Sequence, residues 1–70
     1  MAIERVTIPV ARKLKNITQD DLAKHCGVSV STVSNWENFR TEPTVGQAKK
    51  IAECVGLNYD EIVFLPEDTV

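Results

Sequence analysis

Three residues, Gly27-Val28-Ser29, are all that separates two short helical patterns in this chain. That gap constrains the fold more than any other feature. The upstream pattern runs from Gln19 to Cys26 and the downstream one from Val30 to Asn38. Thr18 precedes the first as an N-cap, with Asp20 and Asp21 in the opening turn, where the helix dipole favours negative charge. Ser29 caps the second. Gly27 supplies a left-handed residue that ends the first helix at no Cβ penalty. So short a link leaves no length for the helices to fold back side by side, so they must cross steeply.

The rest of the chain offers helices for this pair to pack on. A helix over Ile8 to Lys15 has Thr7 as N-cap and Pro9 in its first turn, and Asn16 suits a left-handed stop after it. Pro43 and Thr44 open another, in which Val45, Ala48, Ile51, Ala52 and Val55 recur at helical spacing. Thr44 and Gln47 form its capping box, and Gly56 closes it. Asn58 and Glu61 cap a fifth short helix that Pro66 stops. Ile3, Val6 and Ile8 alternate with polar residues, as in a short strand or an extended arm. The fold expected is all-α, a compact bundle of five short helices with the steeply crossed pair at its centre. Its core covers residues 8–64, with an arm over 1–7 and a polar tail over 65–70.

Seventy residues, 43% hydrophobic and 26% charged, describe one ordinary globular domain. The longest apolar run, Ile62-Val63-Phe64-Leu65, falls far short of the roughly 18 residues of a membrane span. Met1 to Arg5 lack the layout of a secretory leader, so a cytoplasmic protein without membrane contact is expected. Cys26 and Cys54, both in apolar helical stretches, read as reduced core thiols. Together with His25 they give three scattered ligands where structural zinc needs about four, so no metal or other cofactor is expected. No nucleophile is paired with a base and no glycine-rich phosphate loop is present, which argues against an enzyme, and no sensor domain suggests a small-molecule ligand.

The net charge of −2 at first argues against a nucleic-acid partner, but the charges are unevenly spread. Through residue 41 the balance is +2, with Arg5, Arg12, Lys13, Lys15, Lys24 and Arg40 in the majority; from residue 42 onward it is −4. A domain polarised in this way can present one basic face.

The helix over 30–38 is the most informative surface. At about 100° per residue, Val30, Ser31, Ser34, Asn35 and Asn38 share one arc, while Val33 and Trp36 lie opposite. The arc is small, uncharged and able to donate and accept hydrogen bonds, where a solvated face would carry Lys and Glu. Such side chains can approach base edges in a major groove: Asn can pair with adenine, Ser with several bases, and Val30 can touch a thymine methyl.

In order and at its spacing, Thr18-Gln19-x-x-Leu22-Ala23-x-x-x-Gly27-Val28-Ser29-x-x-x-Val33-Ser34-Asn35-Trp36-Glu37 resembles the helix-turn-helix of the lambda-repressor and Cro (XRE-type) family. The resemblance continues through Pro43, Lys50-Ile51-Ala52 and Gly56-Leu57-x-x-Asp60-Glu61-Ile62, nearly the whole chain. It implies base reading by Ser31, Ser34 and Asn35 with Val30 at the leading edge. It implies DNA-backbone contacts from Arg12, Gln19, Ser29, Asn38 and Arg40. Arg12 and Glu37 match a pair that in relatives ties the first helix to the third. Leu22, Ala23, Val28, Val33, Ile51 and Leu57 match core positions.

Three departures matter. Phe39 stands where the family often has glycine, which predicts a different loop conformation or an exposed partner surface. Glu42 stands in a loop that is often basic. The third helix has no Arg for guanine, so an A·T-leaning or shape-dependent site is expected.

The function expected from these residues and the resemblance is sequence-specific binding of double-stranded DNA by a small transcriptional regulator, a Cro-like phage or bacterial repressor. It would act as a homodimer on a palindromic operator, blocking or recruiting RNA polymerase, with Asp20 and Asp21 as a candidate polymerase contact. Tyr59 to Pro66 and Ile3 to Ile8 are the candidate dimer surfaces, unless Tyr59, Ile62 and Phe64 close the monomer core. The competing class is a protein-interaction module, antitoxin-like or an adaptor, that keeps the fold without the operator. Its support is the negative net charge, Glu42, Phe39 and the acidic C-terminal half.

Overall fold

A computed structural model describes residues 5–64 of the chain. The described segment opens on a two-residue strand β1 (Val6–Thr7) and continues through four helices: α1 (Ile8–Leu14), α2 (Gln19–Cys26), α3 (Val30–Glu37) and α4 (Val45–Val55). A single turn of 3-10 helix (Tyr59–Glu61) leads to strand β2 (Ile62–Val63). The two strands pair in parallel, Val6 opposite Ile62 and Thr7 opposite Val63.

The caps form as their local chemistry dictates. Thr18 accepts from the Asp21 N–H at 3.0 Å while Asp21 accepts from the Thr18 N–H at 3.1 Å, a reciprocal box. Thr44 and Gln47 repeat the arrangement at 3.1 and 2.9 Å. Ser29 accepts from the Thr32 N–H at 3.2 Å. Thr7 occupies the N-cap position of α1 but makes no side-chain capping bond, and its residue is committed to β1.

All four helices close in the same way. A left-handed residue follows the last turn: Asn16 (φ +58°), Gly27 (+72°), Phe39 (+58°) and Gly56 (+72°). The next residue's N–H then returns to a carbonyl five positions back: Ile17 to Arg12 and Val28 to Ala23 at 3.0 Å, Arg40 to Asn35 at 2.9 Å, and Leu57 to Ala52 at 3.0 Å. This pairing satisfies carbonyls that a helix end would otherwise leave open. The loop after α3 therefore does not take another conformation to suit Phe39. The phenylalanine adopts the glycine-like backbone, and its side chain is half-buried rather than a free partner surface.

The core is one cluster in which Trp36, Ile8, Leu22, Ile51, Ile62, Val33 and Val55 are the largest fully buried side chains. Val28 and Leu57 pack against its edge. Cys26 is buried in it and Cys54 is half-buried; both are free thiols, and burial raises both above their ordinary value.

The expectation of an all-α bundle of five helices is corrected at both ends. Asn58 and Glu61 do form a local start signal, with the Asn58 N–H donating to the Glu61 carboxylate at 2.8 Å. The turn does not propagate, because Ile62, Val63 and Phe64 are all buried. Two of these residues are β-branched, and the extended form lets them pair with β1 while filling the core. Ile62 and Phe64 thus belong to the monomer core rather than to a free dimer surface. Tyr59 remains about half exposed, its ring 5.3 Å from that of Phe64. Ile3, the tail and Pro66 lie outside the described residues.

Candidate nucleic-acid interface

Gly27 and Ser29 set the crossing of α2 and α3, the first by its left-handed turn and the second by its cap. With Val33 and Trp36 locked inward, α3 turns its other side to solvent. Val30 is 40% exposed, Ser31 and Asn38 are exposed, and Ser34 and Asn35 are half-buried. The five residues of the polar arc thus share the outer side of α3.

Their freedom differs. Among the described residues, the side chains of Ser31 and Asn35 have no hydrogen-bond partner in the protein. Asn38 instead folds back on its own helix and donates from Nδ2 to the Ser34 carbonyl at 2.9 Å and to its hydroxyl at 3.4 Å. Those bonds engage the Nδ2 end of Asn38 within its own turn. The Ser29 hydroxyl is likewise engaged, with the Thr32 N–H and, at 3.0 Å, the Thr32 hydroxyl. Arg40 is exposed, beyond the left-handed Phe39.

Behind this face lies an ionic joint that links three helices. Arg12 of α1 donates from Nε to Glu37 Oε2 at 2.7 Å and from Nη2 to Oε1 at 3.4 Å. Its Nη1 donates to the Ile17 carbonyl at 3.0 Å. Gln19, the first residue of α2, donates from Nε2 to Glu37 Oε1 at 2.9 Å. The Arg12 and Glu37 side chains keep only 12% and 8% exposure. A guanidinium has five N–H groups; three are used here, and one remains on each terminal nitrogen. The pairing of Arg12 with Glu37 is therefore present as the resemblance implied. The Gln19 bond to the same carboxylate is an addition with no sequence signal, since its partners are 18 positions apart on different helices.

Arg12, Gln19 and Val30 line one groove of about 740 Å³, together with Lys13, Asn16, Ile17, Thr18 and Asp20. Lys13, Asn16 and Thr18 were not among the expected site residues. They come to the groove because the left-handed stop at Asn16 turns the chain directly into the cap of α2. Lys15 does not join them; its side chain lies within 4 Å of where a Cβ on Gly56 would stand, at the end of α4.

The acidic residues of α2 are occupied locally. The Asp21 carboxyl is held below its ordinary value by its bonds from Thr18, the backbone N–H first. Asp20 meets Lys24 at 3.0 Å and raises its pKa. His25 reaches Glu53 at 3.3 Å. Among the described residues no group of three His, Cys, Asp or Glu side chains could hold a metal ion, and no helix is long and apolar enough to cross a membrane.

Comparison with known proteins accords with this geometry. A helix-turn-helix family model matches residues 10–62. An uncharacterized HTH-type transcriptional regulator of Methanocaldococcus jannaschii is 39% identical over 57 residues, which make up 81% of this chain and 86% of the relative. No solved structure matches the chain.

Proposed function

The chain belongs to the helix-turn-helix family, and from that premise we propose that it is a DNA-binding transcriptional regulator that reads a specific duplex site with α3. Val30, Ser31, Ser34 and Asn35 meet base edges in the major groove. Arg12 and Arg40 supply the charged contacts to the sugar-phosphate backbone, and Gln19, Ser29 and Asn38 flank them. The observation that carries this reading is the outer face of α3: small, uncharged side chains, two of them without protein partners, beside a groove edged by a half-committed arginine. A solvated helix needs no such face.

The protein acts as a homodimer on a palindromic operator, with half-sites about 34–36 Å apart, the spacing at which two such helices enter successive turns of one groove. Occupying the operator blocks RNA polymerase or, less often, recruits it. The absence of Arg from α3 makes the site A·T-leaning. The protein-interaction alternative drew on an exposed Phe39; that residue is half-buried and closes α3, which favours the DNA reading.

The test is selection from random duplex DNA with excess competitor, repeated with the double variant Ser34→Ala, Asn35→Ala. Wild type should enrich a palindrome that the folded double variant does not. A folded wild-type protein that enriched nothing would leave the interaction module as the better reading.

A further inference from the structure

We propose that copies of this chain associate head to tail, the outer face of α1 in one copy docking on the Tyr59–Glu61 turn of the next. The inference stands apart from the DNA reading. It starts from two apolar side chains of α1 that the core does not use. Val10 and Leu14 are 46% and 69% exposed, although Ile8 and Ala11 of the same helix are buried. With Lys13 they occupy positions i, i+3 and i+4, so the three side chains form one continuous face.

The charge around this face limits what can cover it. Residues 5–17 hold four cations, Arg5, Arg12, Lys13 and Lys15, and no carboxylate. Arg12 is spent on Glu37, whereas Lys13 is exposed and has no ion-pair partner among the described residues. Two copies that met through α1 itself would set Lys13 against Lys13, and like charges oppose such a contact. The occupant must instead combine an apolar centre with an acidic rim.

A second copy offers that surface at the Tyr59–Glu61 turn. Tyr59 is 46% exposed, its ring backed by Phe64 with centroids 5.3 Å apart. A tyrosine steadied on one side and open on the other is a common interface anchor. Asp60 beside it is exposed and, like Lys13, has no ion-pair partner among the described residues. Residues 51–64 hold three carboxylates, Glu53, Asp60 and Glu61, and no Lys or Arg. Arg5 is already engaged, donating to the Ile62 carbonyl at 3.4 Å.

The two surfaces do not overlap. The turn leads into β2, and α1 leaves from the far end of β1, with which β2 runs parallel. A contact between unlike surfaces leaves one of each open at the ends, so assembly continues past two copies, unlike the symmetric pair on an operator. The faces are small beside a standard interface, so the contact is weak and shows at high protein concentration.

The experiment is sedimentation equilibrium of the whole chain without DNA, up to about 1 mM, at low and at moderate salt. The average mass should grow past that of a dimer with concentration, and less so at moderate salt. Lys13→Glu and Asp60→Lys each reverse one exposed charge, and each alone should associate about three- to tenfold more weakly. An equal mixture of the two variants should regain association, because every face then finds an opposite charge on the other variant. That recovery also shows that both fold, and helical circular dichroism checks it separately. Glu42→Lys, at another exposed acid, should associate as wild type does. A mass that stays at one copy or stops at two overturns the inference and leaves Val10 and Leu14 to another segment, another protein or water. Growth that neither variant weakens, or that the mixture does not regain, overturns it by placing the contact elsewhere.

Discussion

The left-handed residue that closes each helix allows strain to be measured by an exchange of sign. At Gly27, φ is +72° and an added Cβ would meet no atom within 4 Å, so Gly27→Ala carries the backbone cost with no clash. That cost is about 1 kcal/mol or somewhat more. Phe39, at φ +58°, bears it already. Comparing Phe39→Ala with Phe39→Gly takes the ring out of the comparison, since both variants lose it and only glycine relieves the backbone. Phe39→Gly should be the more stable by about 1 kcal/mol, or about 4–8 °C in Tm for a chain this size. Gly46 is the control: it lies inside α4 without a left-handed φ and with open space around it, so Gly46→Ala should stabilise by up to about 1 kcal/mol. Urea unfolding followed through Trp36, the one tryptophan and 2% exposed, reads all of these variants. If Gly27→Ala lost stability as expected while Phe39→Ala and Phe39→Gly unfolded together, the claim of strain at Phe39 would be wrong.

Two further outcomes concern pH. Asp21 has a folded pKa below its unfolded value, so its contribution is present above the unfolded value and disappears as pH falls through the folded one. Asp21→Asn should flatten the acid limb of a stability-pH curve, and an unchanged limb would show that the Thr18 bonds have no such linkage. Cys26 and Cys54 are raised by burial, so above the ordinary thiol value the folded chain keeps protons that the unfolded chain gives up. Stability should fall with rising pH in that alkaline window, and Cys54→Ala should make the fall shallower; an identical slope would count against the burial effect.

Thr18, Ser29, Thr44, Asn16, Gly27 and Gly56 were legible in the sequence because caps and stops act across three to five residues, and their chemistry is visible within that span. Val33 and Trp36 were legible as core for a related reason, since helical periodicity assigns faces without tertiary information. The pairing of Val6 with Ile62 links residues 56 positions apart in two-residue strands, too short for an alternating pattern to show. Asn58 and Glu61 signalled a helix start truthfully; what ended it was the burial of the next three residues, a tertiary demand that overrode a local one. In the candidate interface, the surface of α3 followed from spacing. The engagement of Asn38 with Ser34 and of Gln19 with Glu37 did not, because each depends on which of several nearby partners a flexible amide meets.

The parallel pairing of β1 with β2 also bears on how the chain is made. Synthesis delivers residues in order, and the helices through Val55 are complete while Ile62, Val63 and Phe64 have yet to emerge. Until they do, the apolar surface that α1 and β1 turn toward them stays open to water and to other chains. The core is thus closed only once residue 64 is free, and the domain is expected to complete its packing as one unit. A nascent chain stalled at Asp60 would carry the reading helix, but not the segment that seals the core beneath it.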